Sequence, residues 1–214
     1  MSTPKRGGGR THIEGALVNL RSVTAEDSER LLDIVREPDV AAWWGDYTPE
    51  RVQREFVDPE DGCAAYVIEV GAHVAGLIQF YEETDPDYRH ASIDIFLHPD
   101  WHGRGMGADA LRTLVRYLFT ERGHHRVTID PAVANAQAIR SYERVGFRPV
   151  GVMRNYERGL DGTWHDNLLM DLLEGELQDG EIATVTVSAA TGLPVVHSSR
   201  AITPEDVRSL DDED

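Results

Sequence analysis

The sequence predicts an α/β domain over roughly residues 12 to 174, a mixed sheet with helices on both faces. Three observations carry the prediction. Strand-like and helix-like runs alternate through the middle of the chain, and hairpin-like pairs of runs flank them. The clearest helical run also has a single apolar face: Leu111, Leu114, Val115, Leu118 and Phe119 recur at i, i+3, i+4, i+7 and i+8.

In chain order, residues 1 to 11 are Gly-rich and basic and read as a flexible lead-in. "ALVNLRSV" is the first strand. Thr24, with Asp27 three residues on, caps a helix through "DSERLLDIVRE". In "WWGDYTPERVQREF", Thr48 is a cap and Pro49 the first position of a second helix. "CAAYVIEV" and "HVAGLIQFYEE" form a hairpin, and "ASIDIFL" is the next strand. The long helix after it ends at Gly123. "RVTID" is a strand and "NAQAIRSYERV" a helix closed by Gly146. "PVGVMRNYE" and "WHDNLLMDLL" make the last hairpin. Residues 175 to 214 form an acidic C-terminal extension. Within it "IATVTVS" and "PVVHSS" pair about "ATGLP", and "SLDDED" is expected to be disordered.

Charge narrows the function classes. The 214 residues hold 21 Lys+Arg against 38 Asp+Glu, a formal net of −17. Such a chain lacks the cations that displace phosphate counterions, so nucleic acid and anionic membranes are excluded as partners and cationic ligands are favoured. From Glu174 to Asp214 ten acids face two arginines, a net of −8, and the remaining −9 lies before Glu174. No apolar run approaches the ~20 residues of a membrane span, and the N-terminus lacks the apolar core of a signal peptide. The single Cys63 permits no internal disulfide and suits a reducing cytoplasm. The histidines give no metal signal: Pro99 and the glycines break the His98–His102 pair, and His124-His125 has no Cys or acid at ligand spacing.

In "HPDWHGRGMGADALRTLV", Gly103, Gly105 and Gly107 precede a helix. Glycines there let backbone amides at a helix N-terminus approach an anion. A dinucleotide fingerprint needs G-x-G-x-x-G and a P-loop needs G-K-[ST]; Gly107-Ala108-Asp109 supplies neither. The six residues His102-Gly103-Arg104-Gly105-Met106-Gly107 resemble the Q/R-x-x-G-x-G/A loop of the GCN5-related N-acetyltransferase superfamily, with His102 departing from Gln or Arg. "NAQAIRSYERVGF" resembles the superfamily pattern N-x-x-A-x-x-x-Y-x-x-x-G-F at Asn135, Ala138, Tyr142, Gly146 and Phe147. The resemblance implies a mostly antiparallel sheet and acetyl-CoA as co-substrate. It places the coenzyme on residues 102 to 107 and Ala108, with Asn135 and Ala138 beside it. It makes Tyr142 the acid that protonates the leaving thiolate, and the backbone N–H groups of Phe96 and Leu97 the donors to the thioester carbonyl.

Two acids stand out by position. Ile93, Ile95 and Leu97 share one face of their strand, leaving Asp94 on the other with Ser92 and Phe96. Asp130 ends a strand before Pro131. An aspartate of ordinary pKa, about 4, is a poor base for an alkylamine. Asp94 therefore acts with its pKa raised by burial, through a water, or only as an anchor for the amine. With the tandem Trp43-Trp44 in "AAWWGD", these acids make residues 35 to 150 similar to the aminoglycoside 6'-N-acetyltransferases. That narrower resemblance implies Asp94 as base or amine anchor, Asp130 as an ammonium binder and Trp43 and Trp44 as drug-pocket walls, in a cytoplasmic monomer or homodimer acting on a cationic small molecule. The segment "YEETDPDYRH" is shorter than in well-known members of that group. The final hairpin is more like the branch that acetylates protein N-termini or small metabolites. The tryptophans have a plain alternative as packing for the second helix, and the whole chain as a catalytically idle acyl-CoA-binding module.

Overall fold

The computed structural model describes residues 12–179, 184–187 and 194–197. Eight strands form one sheet in the order β1-β2-β3-β4-β5-β6-β8-β7. They are β1 His12–Glu14, β2 Asn19–Ser22, β3 Cys63–Val70, β4 His73–Glu83, β5 His90–Leu97, β6 Arg126–Ile129, β7 Arg148–Arg158 and β8 Trp164–Leu173. Every neighbouring pair is antiparallel except β5 and β6. The sheet is thus mixed and mostly antiparallel. Helices α1 Ser28–Val35, α2 Pro38–Trp44 and α3 Pro49–Val52 precede β3, α4 Met106–Thr120 follows β5, and α5 Ala136–Glu143 follows β6. Two short strands, Thr184–Val187 and Pro194–His197, pair antiparallel with each other in a second compact unit beginning at Asp179. The expected disordered end, "SLDDED", lies outside the described residues.

The core follows from strand alternation. On one face Leu20, Ile68, Ile78, Ile93 and Leu97 meet Leu111, Leu114 and Leu118 of α4. On the other, Val67, Leu77 and Phe96 meet Leu31, Ile34, Val52 and Phe56. Ile93 and Leu97 therefore face α4 while Phe96 faces α1 and the turn after α3, as a period of two requires.

Two segments differ from the sequence reading. The first strand is shorter than "ALVNLRSV": the amide of Gly15 donates to the carbonyl of Val18 (2.8 Å) in a turn, and His12–Glu14 adds an edge strand before it. The tryptophans lie on a helix of their own, α2, with Pro38 in its first turn, and Gly45 at φ +80° ends it. Thr48 then caps α3 by accepting from the Arg51 amide at 3.3 Å. Thr24 behaves as expected. Its amide and hydroxyl both donate to Asp27 Oδ2 at 2.8 Å, and Arg21 closes on both oxygens of Asp27.

Asp109 ties the N-terminal turn to α4. Its buried Oδ2 accepts from the amides of Leu17 (2.7 Å) and Val18 (3.0 Å). Asp109→Ala leaves the buried Val18 amide without its acceptor, a loss of about 2 kcal/mol. Chemical denaturation of the two proteins checks this, with a lowered midpoint expected at unchanged slope. At the other end of the sheet, Arg122 donates to both oxygens of Glu82 (3.0 and 2.6 Å) and the buried His124 ring lies 2.8 Å from the same carboxylate. His124 is thus a helix-exit partner for Glu82. Among the described residues no group of three or more His, Cys, Asp or Glu is placed to hold a metal ion. No helix among them is long and apolar enough to cross a membrane.

Candidate active site

β5 and β6 pair only at Ala91↔Val127 and Ser92↔Thr128, where the two hydroxyls share a hydrogen bond at 2.8 Å. Beyond Ser92 the β5 strand continues alone on that side, while on the other it stays paired with β4 to Leu97↔Gly76. A gap therefore opens between β5 and β6. The amide of His98 donates to the Ala75 carbonyl at 2.8 Å. Antiparallel alternation then turns the backbone of Phe96 and Asp94 toward β4 and that of Ile93, Ile95 and Leu97 toward the gap. Of the two amides expected to serve as donors, Leu97 faces the gap. Phe96 faces β4, and Ile95 takes its place.

The glycine loop stands at the mouth of this gap. Gly103 (φ +73°) and Gly105 (φ +80°) take left-handed conformations that favour glycine, and Gly105 is the N-cap of the fifteen-residue α4. The first intrahelical donor is the Asp109 amide, to Gly105 at 3.0 Å. The amides of Met106, Gly107 and Ala108 are left for an anion. The Asp109 carboxylate, which would repel one, is turned inward onto Leu17 and Val18. A Cβ on Gly107 would come within 3.3 Å of Leu97 Cδ1, so glycine lets α4 approach β5 closely. His102 Nε2 lies 2.9 Å from the Leu97 carbonyl. The residue that departs from the resembling pattern thus fastens the loop to the end of β5. Arg104 lies 6.0 Å above the Trp101 ring. These residues fit the pyrophosphate of a coenzyme A, which would bring an activated acetyl thioester to the gap. Asn135, at the start of α5, accepts from the Ala138 amide at 3.0 Å and so caps that helix.

Asp94 sits on β5 opposite Gln79 of β4, whose Nε2 donates to Asp94 Oδ2 (3.2 Å) and to the Tyr81 hydroxyl (2.6 Å). Burial raises the Asp94 pKa to about 6. The Gln79 bond opposes the shift, and Asp130 and Glu157 add to it. Burial also raises Asp130, against a bond from Asn167 and with help from Glu157. Tyr142 on α5 packs beside the main core. Burial first, then Asp94 and Asp130, push its phenol above the ordinary value, so it keeps its proton. For Tyr156 the largest cause of the same upward shift is Asp130. The three acids and two phenols therefore feel one another. Among the described residues no arginine, lysine or histidine lies within ion-pairing distance of Asp94, Asp130 or Glu157. The arrangement can hold a cation, take a proton at Asp94 and give one from Tyr142.

Asn167 of β8 organises the far side. Its side chain is buried, and Nδ2 donates to the Asp130 carbonyl (2.9 Å), Asp130 Oδ2 (3.2 Å) and Glu157 Oε2 (3.4 Å). Glu157 reaches it because β7 bulges between Met153 and Glu157. At the bulge Asn155 takes φ 51° and its amide donates to Asp166 Oδ1 at 2.8 Å. The tryptophans stand on α2, which packs on the face of β5 that carries Asp94 and Phe96. The half-buried Trp44 packs on Phe96 (4.8 Å, edge-on), Phe56 and Tyr47, and Trp43 is 41% exposed. Trp44 contributes packing for α2 and α3 against the face of β5 that also carries Asp94.

The structure brings together Asp94, Asp130, Tyr142 and the gap. Sequence reasoning missed Gln79, Tyr81, Asn167, Tyr156 and Glu157. Gln79 interrupts the apolar run "GLIQFY" and Asn167 precedes "LLM", and a polar residue inside a buried strand is itself a signal. Glu157 arrives through a bulge, and the sequence holds no comparable mark of it.

The acetyltransferase (GNAT) domain model matches residues 18–148. Over 161 residues the chain is 29% identical to an aminoglycoside N(6')-acetyltransferase type 1 of Klebsiella pneumoniae, covering 64% of this chain and 76% of that protein. It is 26% identical over 175 residues to a putative ribosomal N-acetyltransferase of Bacillus subtilis (strain 168), covering 74% and 92%. The crystal structure of aminoglycoside acetyltransferase AAC(6')-Ib with coenzyme A and kanamycin superposes with a TM-score of 0.62 at 26% identity, over 73% of this chain and 95% of that one.

Proposed function

Because the chain belongs to the GNAT acetyltransferase family and uses acetyl-CoA, we propose that it transfers the acetyl group to a primary amine of an aminoglycoside, of the 6'-amino type, by direct attack on the thioester. The observation that carries the reading is the group of three acids without a cationic partner around the β5–β6 gap. An amine acceptor with several positive charges compensates them. Asp94 orients the reacting ammonium and takes its proton. Asp130 holds a neighbouring ammonium. The amides of Ile95 and Leu97 polarise the thioester carbonyl, and the Tyr142 phenol supplies a proton to the departing sulfur. The likeness to aminoglycoside acetyltransferases supports the acceptor class.

A second reading, acetylation of a protein N-terminus, is favoured by the long β7–β8 hairpin and by the ribosomal relative. Free-thiol release from acetyl-CoA, with kanamycin or tobramycin against peptides and lysine, decides between them. Rapid release with the aminoglycosides is expected; release with peptides alone would sink the first reading. Asp130→Asn is expected to raise the KM for kanamycin about tenfold and that for a monoamine far less, since one charge-assisted contact is worth ~1.5–3 kcal/mol. Equal rises would remove Asp130 as an ammonium anchor.

A further inference from the structure

The Asn167 carbonyl oxygen, Oδ1, is buried and has no hydrogen-bond partner. The amide cannot turn over to relieve it. A flip would set that oxygen against the Asp130 carbonyl, Asp130 Oδ2 and Glu157 Oε2, all of them acceptors. Asn167 therefore holds two carboxylates with its nitrogen and keeps an unfilled acceptor beside them. Buried polar atoms are rarely left this way without a reason. The three groups match the three N–H donors of one primary ammonium. Glu157 is exposed and makes the longest of the three contacts, 3.4 Å, so its side chain is the least confined of the three groups.

We propose that Asn167, with Asp130 and Glu157, forms a second ammonium subsite that selects which amine of a polyamine is acetylated. The inference rests on the amine-acceptor reading above and adds a rule to it. The acceptor carries a second ammonium on the Asn167 side while its reacting amine lies at Asp94. Asn167 acts in two ways here: its Oδ1 accepts from the second ammonium, and its Nδ2 sets where the two carboxylates stand and so which amine is left to reach Asp94. An acceptor with one amine engages Asp94 alone.

The test uses the full chain with two acceptors, kanamycin and 6-amino-6-deoxyglucose, a sugar with the same kind of reacting amine and no second one. Glu157→Gln is expected to raise the KM for kanamycin tenfold or more, and that for the monoamino sugar no more than about threefold. Asn167→Ala is expected to do the same and to yield a second mono-acetylated kanamycin isomer, resolved by NMR of the product. Glu157 is exposed, so its variant keeps the proposal testable if Asn167→Ala fails to fold. Equal KM rises for both acceptors, or a single unchanged isomer from folded Asn167→Ala, would overturn the subsite. If neither sugar is acetylated and peptides are, the aminoglycoside reading fails. The subsite is then decided by a peptide pair with and without a lysine, where an equal effect of Glu157→Gln on both overturns it.

Discussion

Asp94→Asn is expected to lower turnover by about 10²- to 10⁴-fold, the usual range for removing a general base, and at the same time to make the folded protein more stable at pH 8. The two effects have one cause. Burial holds the Asp94 carboxyl at a pKa of about 6 against 3.8 ordinarily, so the folded state disfavours the charged form that the proposed proton transfer uses. Between pH 4 and 6 the folded protein binds more protons than the unfolded chain, and stability falls as pH rises through that window. At ~1.4 kcal/mol per pH unit, the full deficit above pH 6 is about 3 kcal/mol, and asparagine removes it while still accepting from Gln79. For the wild type, kcat/KM falls on the acid side with an apparent pKa of about 6. Thermal melts at pH 4 and 8 beside a pH–rate profile check both halves. A variant less stable than wild type at pH 8 would refute this account of Asp94.

Tyr142→Phe is expected to cut kcat by about 10²-fold or more and to leave coenzyme A binding nearly unchanged. The phenol is held well above its ordinary pKa by burial and by two neighbouring carboxylates. At neutral pH it keeps its proton, as protonation of a departing sulfur needs. Phenylalanine keeps the packing against Phe147 (6.3 Å between rings) and loses only the hydroxyl. Stopped thiol-release assays and calorimetric titration with coenzyme A separate the two parameters. Unchanged turnover would remove Tyr142 from the chemistry.

Much of this was legible from the residues. Alternation in "ASIDIFL" puts Asp94 on the face away from α4, and the glycine spacing puts an amide-rich helix start just beyond it. The Thr24–Asp27 and Thr48–Pro49 signals mark helix starts where the structure has them. What was not legible depends on pairing between distant segments. The choice between the amides of Phe96 and Leu97 follows from which β5 residues pair with β4, a register that residue type alone leaves open. Trp43-Trp44 suits a pocket or a core equally well in the sequence, and the ring contacts that give Trp44 a packing role, with Phe96 and Phe56, join segments far apart in the chain. His102 departs from the loop pattern of the family, yet its bond to the Leu97 carbonyl gives that position a structural task.

The eight-stranded sheet is joined at its centre by two residue pairs, Ala91↔Val127 and Ser92↔Thr128. Mechanically it is two plates meeting along a short seam. Asp94 and Gln79 ride on one plate, and Asp130, Asn167 and Glu157 on the other. The spacing between Asp94 and the group of Asp130, Asn167 and Glu157 is held in the sheet by that short ladder alone. Helix α4, which touches both β5 and β6, braces the two plates from one side. On the proposed reading, an acceptor with one amine on each plate is a strap across the seam, and every part of its binding energy that depends on both ends also resists the parting of the two plates.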